Sequence, residues 1–243
     1  MLTFDFKKFD IKAGSRILDI GCGEGRHSIE AGRQKDTLCV AADYLIDNLI
    51  KTREKVHFHQ ALQNINDVDI KCKSLDFSCM DATNLPFKDQ SFDVIICSEV
   101  MEHIPEDIMA AKELIRILKP GKILAVSIPS FWPEKICWAL SKEYTDAAMG
   151  HVRIYKKKKL IKLFETLGMQ CFHSHHAHSI HTPYWWLKCL MGVNRTDSMP
   201  VKLYHRLLVW DIMNHPPVTK FMDKLLNPIL GKSLVLYFRQ NTK

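Results

Sequence analysis

The sequence predicts an α/β protein built on a doubly wound, mainly parallel sheet, and three observations carry that prediction. Short apolar runs alternate with helix-length segments through residue 130. The first of those runs ends in a glycine cluster that opens a helix, which is how a doubly wound sheet begins. The run over 92–97 is almost wholly apolar, as a strand covered on both faces must be.

Each element follows in order. Arg16-Ile17-Leu18-Asp19-Ile20 is the first strand, and Gly21-Cys22-Gly23-Glu24-Gly25 turns it into a helix over 26–33. Residues 37–42 form the second strand, stopped by Asp43, and 45 to about 64 has helical length with no internal Pro or Gly. A third strand covers 73–79 and ends near Asp81; the fourth covers 92–97. Residues 106–118 read as a helix that Lys119-Pro120-Gly121 stops, ahead of a fifth strand over 122–128. Asp93, at the head of the fourth strand, is expected to be structural. Lys156-Lys157-Lys158-Lys159 reads as the solvated start of an amphipathic helix that Gly168 closes, with strands over 169–172 and 233–238 beyond it.

Composition bounds the function classes. With 243 residues, 47% hydrophobic and 25% charged, the chain is neither disordered nor fibrous. Charges interrupt the apolar stretches well short of the ~18 residues that a membrane span needs. The first residues lack the basic-then-apolar layout of a secretory signal. Eight cysteines without a C-x-x-C pair argue against a disulfide framework or a cysteine zinc site, so a cytoplasmic setting is expected. Charge is uneven: residues 1–130 hold 17 Lys and Arg against 20 Asp and Glu, whereas 131–243 hold 17 against 7 and all five tryptophans. Two tasks are therefore expected, one in each half.

The glycine turn is not the dinucleotide fingerprint. Arg26 stands where G-x-G-x-x-G needs its third glycine, which disfavours a nicotinamide-dependent oxidoreductase. Asp19, two residues before the first glycine, suits a cationic ligand better than a pyrophosphate. Asp19-Ile20-Gly21-Cys22-Gly23-Glu24-Gly25 resembles motif I of the class I S-adenosylmethionine-dependent methyltransferases, of the methyltransferase type 11 and ubiquinone-pathway O-methyltransferase kind. Asp43, Asp81-Ala82, the stretch Asn84-Leu85-Pro86-Phe87 with Ser91-Phe92-Asp93, and Leu118-Lys119-Pro120-Gly121 resemble later landmarks of that family in order. The likeness is close over about 13–130 and looser to about 175.

The resemblance implies a Rossmann-like seven-stranded sheet whose last strand is antiparallel, in a single domain over 1–243. It implies S-adenosyl-L-methionine as cofactor, with contacts from Asp19, Gly21, Cys22, Gly23, Gly25, Asp43, Tyr44, Asp81, Ala82, Ser98 and Glu99. Asp43 would meet the ribose hydroxyls, and Asp81-Ala82 the adenine edge.

The place for chemistry is after the fourth strand, in Cys97-Ser98-Glu99-Val100-Met101-Glu102-His103. Methyl transfer from a sulfonium mainly needs alignment, worth on the order of 7–11 kcal/mol, and a way out for the acceptor's proton. His103 and His151 are the expected catalytic residues. The E-x-x-E-H segment is also similar to one that holds a divalent ion in ubiquinone-pathway and small-RNA O-methyltransferases, with His151 as a further ligand. Many other relatives carry Glu-His there without metal, and no metal is expected here. The run His173-Ser174-His175-His176-Ala177-His178, with His181, reads as strand and turn forming a partly protonated polar rim rather than a zinc site.

Beyond 130, cap inserts at about 131–150 and 176–232 are expected to roof the acceptor, because the segment before motif I is too short to do so. Helical stripes around Tyr184-Trp185-Trp186, Trp210 and Phe221 would build the cap. An aromatic, basic cap points to a hydrophobic small-molecule or lipid-like acceptor, methylated on oxygen before carbon, and allows peripheral contact with a membrane. The rival readings are an RNA methyltransferase using a Glu/Glu/His metal site and a non-catalytic S-adenosylmethionine-binding protein. Nucleic acid is disfavoured, since no aromatic-and-arginine stacking platform is visible.

Overall fold

The computed structural model describes residues 2–61, 71–145, 150–195, 198–214 and 216–240. Seven strands form one sheet: β1 (Arg16–Ile20), β2 (Leu38–Asp43), β3 (Ser74–Cys79), β4 (Phe92–Ser98), β5 (Leu118–Pro129), β6 (Met169–Ala177) and β7 (Ser233–Gln240). Their spatial order is β3-β2-β1-β4-β5-β7-β6. β1 runs parallel to both β2 and β4, so the strand order reverses beside it and opens a crevice at the carboxyl ends. β7 is antiparallel to both β5 and β6, as expected.

The helices are α1 (Arg26–Gly32), α2 (Ile46–Ala61), α3 (Asp107–Ile117), α4 (Phe131–Leu140), α5 (Lys142–Thr145), α6 (Lys157–Thr166), α7 (His181–Met191), α8 (Met199–Asn214) and α9 (Pro217–Leu230). The expected continuation of α2 to about 64 lies outside the described residues. So do parts of both expected cap inserts, at 146–149, 196–197 and 215.

Every residue of β4 is buried, which is why its sequence does not alternate. Ile95 faces one side with Leu18, Leu124 and the inner residues Ala110, Ala111 and Leu114 of α3. Ile96 faces the other with Ile17, Ala125 and Tyr237. A fully buried side chain of this kind contributes about 1.5–3 kcal/mol, so the two layers fix the central strands firmly. Phe4 and Phe9 pack on Tyr237, and the Asp5 N–H donates to its hydroxyl at 2.8 Å. The N-terminal segment thus covers the outer layer. Asp93 is structural, accepting from the Arg16 N–H at 3.0 Å and from Lys119 Nζ at 2.6 Å.

Three expectations are corrected. β5 begins at Leu118, because that residue still pairs with Phe92 before the register shifts to Val94 and Ile123; Lys119-Pro120-Gly121 is a bulge within the strand. β6 reaches Ala177, because β7 holds it in register as far as Ala177 beside Ser233.

The third correction concerns the histidines, which are a packed layer and not a protonated rim. His173 and His175 lie against the Tyr237 ring, His175 Nε2 donates to the Thr3 carbonyl at 3.2 Å, and His176 Nδ1 lies 3.0 Å from Ser130 Oγ. Burial lowers the pKa of His173, His175, His176, His178 and His181, so these rings stay neutral.

After β5, α4 packs on α7, and the Trp186 indole donates to the Pro133 carbonyl at 3.0 Å. The long interval between β6 and β7 is the helical run α7 to α9. No helix among the described residues is long and apolar enough to cross a membrane.

Candidate active site

A cavity of about 590 Å³ opens at the carboxyl ends of β1, β2, β3 and β4. Its size suits a small-molecule ligand. The turn after β1 forms one wall. Gly21 adopts φ 67°, and a Cβ there would stand 2.1 Å from Val100 Cγ2, so only glycine lets β1 meet the loop after β4. The Gly23 N–H donates to Asp43 Oδ2 at 2.8 Å, tying the turn to the end of β2. Asp43 Oδ1 accepts from the Leu45 N–H and Asn48 Nδ2, which fixes the carboxylate before any ligand arrives. A carboxylate offers about four acceptor sites, so Oδ2 keeps one for a ligand hydroxyl.

Of the expected cofactor contacts, Gly21, Gly23, Asp43, Tyr44, Asp81, Ala82 and Glu99 line this cavity, and so does His103. Asp81 spends Oδ1 on the Thr83 N–H and hydroxyl. Four expected contacts lie elsewhere. The Cys22 side chain packs inward with Ala41 and Leu49, where it seats the turn. Gly25 abuts Thr52 of α2, with room for no Cβ, and caps α1. The Ser98 hydroxyl pairs with Ser127 on β5 at 3.0 Å. Asp19 lies beneath the turn, 1% exposed, and accepts from Ser28 Oγ at 2.5 Å. Burial pushes its carboxyl up to about 7, and Oδ1 has no hydrogen-bond partner.

Glu99 and Glu102 continue this pattern of buried acid. Glu99 takes φ 55° as the chain leaves β4, and its Oε1 is buried without a partner. Both Glu102 oxygens are buried and unpartnered, and burial, with the charge of Glu99 behind it, raises the Glu102 carboxyl well above the usual range. Orphaned acceptors beside a cavity, together with Asp43 and Asp81 on its wall, fit a ligand that is cationic and carries hydrogen-bond donors.

A second group of charges stands next to the first. His103 Nδ1 lies 3.3 Å from the Gly150 carbonyl, and the His103 and His151 rings are 4.8 Å apart, edge to face. His151 Nδ1 lies 2.5 Å from Glu134 Oε1, which leaves Nε2 free of that carboxylate and 4.0 Å from Glu102 Oε1. Glu134 also accepts from Trp138 Nε1, from the Tyr144 hydroxyl and from Lys232 Nζ at 2.9 Å. Burial alone would raise the Glu134 carboxyl, but the His151 hydrogen bond and the Lys232 cation outweigh it and hold it at about 2. A Glu134 carboxylate aimed at Nδ1 fixes the ring with Nε2 as the open nitrogen.

Glu134, Tyr144 and Lys232 went unseen in the sequence. They come from α4, α5 and the residue before β7, and no spacing rule joins positions 134, 144, 151 and 232. The one available hint was a lysine directly ahead of a strand with an apolar middle, Leu234 to Phe238.

Glu102, His103 and His151 also form a group whose ligand atoms lie within 4.8 Å of one another. Bonds of about 2.1 Å in tetrahedral geometry set ligand atoms roughly 3.4 Å apart, so the group would have to draw together to hold an ion. The unpartnered Glu102 oxygens are the feature that would welcome one. Glu99, grouped with Glu102 and His103 by sequence, is not in this set.

Residues 18–126 match the family model described as Methyltransferase domain. The chain is 30% identical over 122 residues to Methyltransferase GfsG of Streptomyces halstedii, across 50% of this chain and 40% of that protein. It is 31% identical to the 27-O-demethylrifamycin SV methyltransferase of Amycolatopsis mediterranei, across 48% and 39%. The match spans less than half the length of these two relatives. Among solved structures, the cyclase SpnF is 18% identical with a TM-score of 0.63, over 98% of this chain and 79% of that one. That likeness concerns the fold alone, and the fold hosts more than one chemistry.

Proposed function

We propose that the chain, whose residues 18–126 match a methyltransferase domain, is a class I S-adenosylmethionine-dependent methyltransferase that takes S-adenosyl-L-methionine as methyl donor and methylates an oxygen of a hydrophobic small-molecule or lipid-like acceptor. The observation that carries the reading is the negatively lined cavity in which the glycine turn is tied to Asp43 and His103 stands on the wall. The relative acting on a demethylrifamycin supports a small-molecule oxygen acceptor. The whole chain, 1–243, works in this reading as one unit, with the elements after 130 selecting the acceptor, in the cytoplasm or at a membrane surface.

The donor, when bound, supplies a methyl group already activated by a sulfonium. Gly21 and Gly23 would bring backbone close to it, Asp43 would take ribose hydroxyls, and Asp81 and Ala82 would take the adenine edge. Tyr44 covers the ribose side. Asp43 and Asp81, on the cavity wall, would supply the field that favours a cation, and a bound cation would draw Glu99 and Asp19, both raised by burial, toward their charged forms. His103 orients the acceptor hydroxyl, and His151 Nε2 receives its proton as the carbon–oxygen bond forms and the carbon–sulfur bond breaks. Glu134 stabilises the imidazolium that results. A positioned base of this kind contributes typically 10²–10⁴-fold.

Calorimetry with S-adenosylmethionine and with NAD tests the first half of the reading. Binding of the former alone is the expected result, and no binding of it ends the proposal. Methyl-labelled donor incubated with cell extract tests the second half: label in lipid or small molecules supports it, and label in RNA replaces it with the RNA reading. Donor binding with no labelled product would leave a non-catalytic binding protein.

A second reading is favoured by the orphaned Glu102 oxygens beside His103 and His151. A divalent ion held there would polarise the acceptor oxygen and make its proton easier to lose. Activity unchanged after chelation supports the metal-free reading; activity lost on chelation and restored by a divalent salt supports the metal.

A further inference from the structure

The two helices before β7 carry apolar side chains on their outer faces. α9 is tied to the protein by polar side chains: Asp223 Oδ1 accepts from the Ser179 hydroxyl and the Ile180 N–H, and Asn227 Oδ1 accepts from the Ser179 N–H. The apolar stripe faces out. Val218, Phe221, Leu225 and Ile229 recur at helical spacing and are each between 64% and 76% exposed. α8 buries Val201, Leu208 and Asp211, yet Leu203 and Met213 stand 69% and 75% exposed with Trp210 between them. Singly exposed apolar residues are ordinary, but two successive stripes are not.

Charge says what covers them. The only carboxylates on α8 and α9 are Asp211 and Asp223, the first buried and the second bound to Ser179. Lys202, Arg206, Lys220 and Lys224 are exposed, the first two at helical spacing beside Trp210 and Met213 on α8. A second copy of this chain seated on the same face would set cation against cation with no outward acid to answer it. An anionic lipid surface answers both features, taking the apolar stripe into its acyl boundary and the lysines at its headgroups.

We propose that α8 and α9 dock the protein on an anionic membrane surface through the outward stripe Val218, Phe221, Leu225 and Ile229 and the bordering cations. The surface rests on the lipid-like-acceptor reading only for its purpose, the delivery of acceptor from the bilayer. Donor binding is read separately, so either can fail alone.

Flotation with vesicles is the test, using phosphatidylcholine alone and equal parts phosphatidylcholine and phosphatidylglycerol. The chain is expected to float with the mixed vesicles and not with the neutral ones, and to be released by high salt. Replacing Lys220 and Lys224 by Ala should weaken binding about thirty-fold, at roughly one lysine's share each. F221S with L225S should abolish it, while calorimetry shows S-adenosylmethionine affinity unchanged and so an intact fold. No flotation with either vesicle overturns the proposal. So does equal binding to neutral vesicles that the lysine variant leaves unaltered, or a concentration-dependent dimer, disrupted by F221S and L225S, in a protein that ignores vesicles.

Discussion

The glycine-turn side of the site and the Glu134 side hold similar charges in opposite conditions. On the first, Asp19 and Glu102 are buried acids with unpartnered oxygens, and Glu99 keeps one buried oxygen without a hydrogen bond, next to a cavity that Asp43 and Asp81 line. On the second, Glu134 is equally buried but takes hydrogen bonds from four donors, Lys232 among them. The difference separates waiting from being finished. Unanswered acid is poised to receive a cation and is indifferent to the fold's completion; answered acid sets the position of His151 before any ligand arrives.

The largest effect is expected where the answered side is broken. K232M leaves the Glu134 carboxylate buried with one counter-charge fewer, and removing a partner from a buried pair costs about 3–5 kcal/mol. Chemical denaturation should show that loss, and a stability change below about 1 kcal/mol would mean the pair is far better hydrated than its burial implies.

A break on the other side should cost binding, and less stability than K232M. G21A must fit a Cβ against Val100 at positive φ, a strain of about 1–3 kcal/mol. Donor affinity by calorimetry is expected to fall roughly ten- to hundred-fold. D43N removes the acceptor charge that the Gly23 N–H meets, with an expected loss of about 1.5–3 kcal/mol in donor binding.

The remaining test is a pH dependence. The Asp19 carboxyl is raised from its ordinary value to about 7 by burial, so the folded chain binds that proton more tightly than the unfolded chain does. Stability then falls as pH rises through the interval from about 4 to about 7, and the full deficit is present above it. D19N should flatten that slope in denaturation curves taken across the interval. An unchanged slope would mean the Asp19 carboxylate is already answered.

The same comparison explains what the sequence could and could not reveal. Strand, glycine turn, Asp43, Asp81 and His103 follow one another along the chain, and the parallel sheet brings consecutive strand ends to one edge, so order in sequence became neighbourhood in space. Cys22, Gly25 and Ser98 belong to the same motifs but support them from behind, a distinction of facing that residue type does not encode. Glu134 and Lys232 are 98 positions apart and meet through the antiparallel insertion of β7 between β5 and β6. The outward stripe of α9 carried the periodicity of a core helix, and only its polar partners at Ser179 show which way it faces.

In the proposed function, donor binding and acceptor chemistry sit on separate sides of one site. H151A, assayed for S-adenosylmethionine affinity by calorimetry and for methyl transfer by label incorporation, tests it most directly. Affinity within about two-fold of the unaltered chain, with transfer reduced on the order of 100-fold, is the predicted result. Undiminished transfer, or affinity lost in step with transfer, would contradict it.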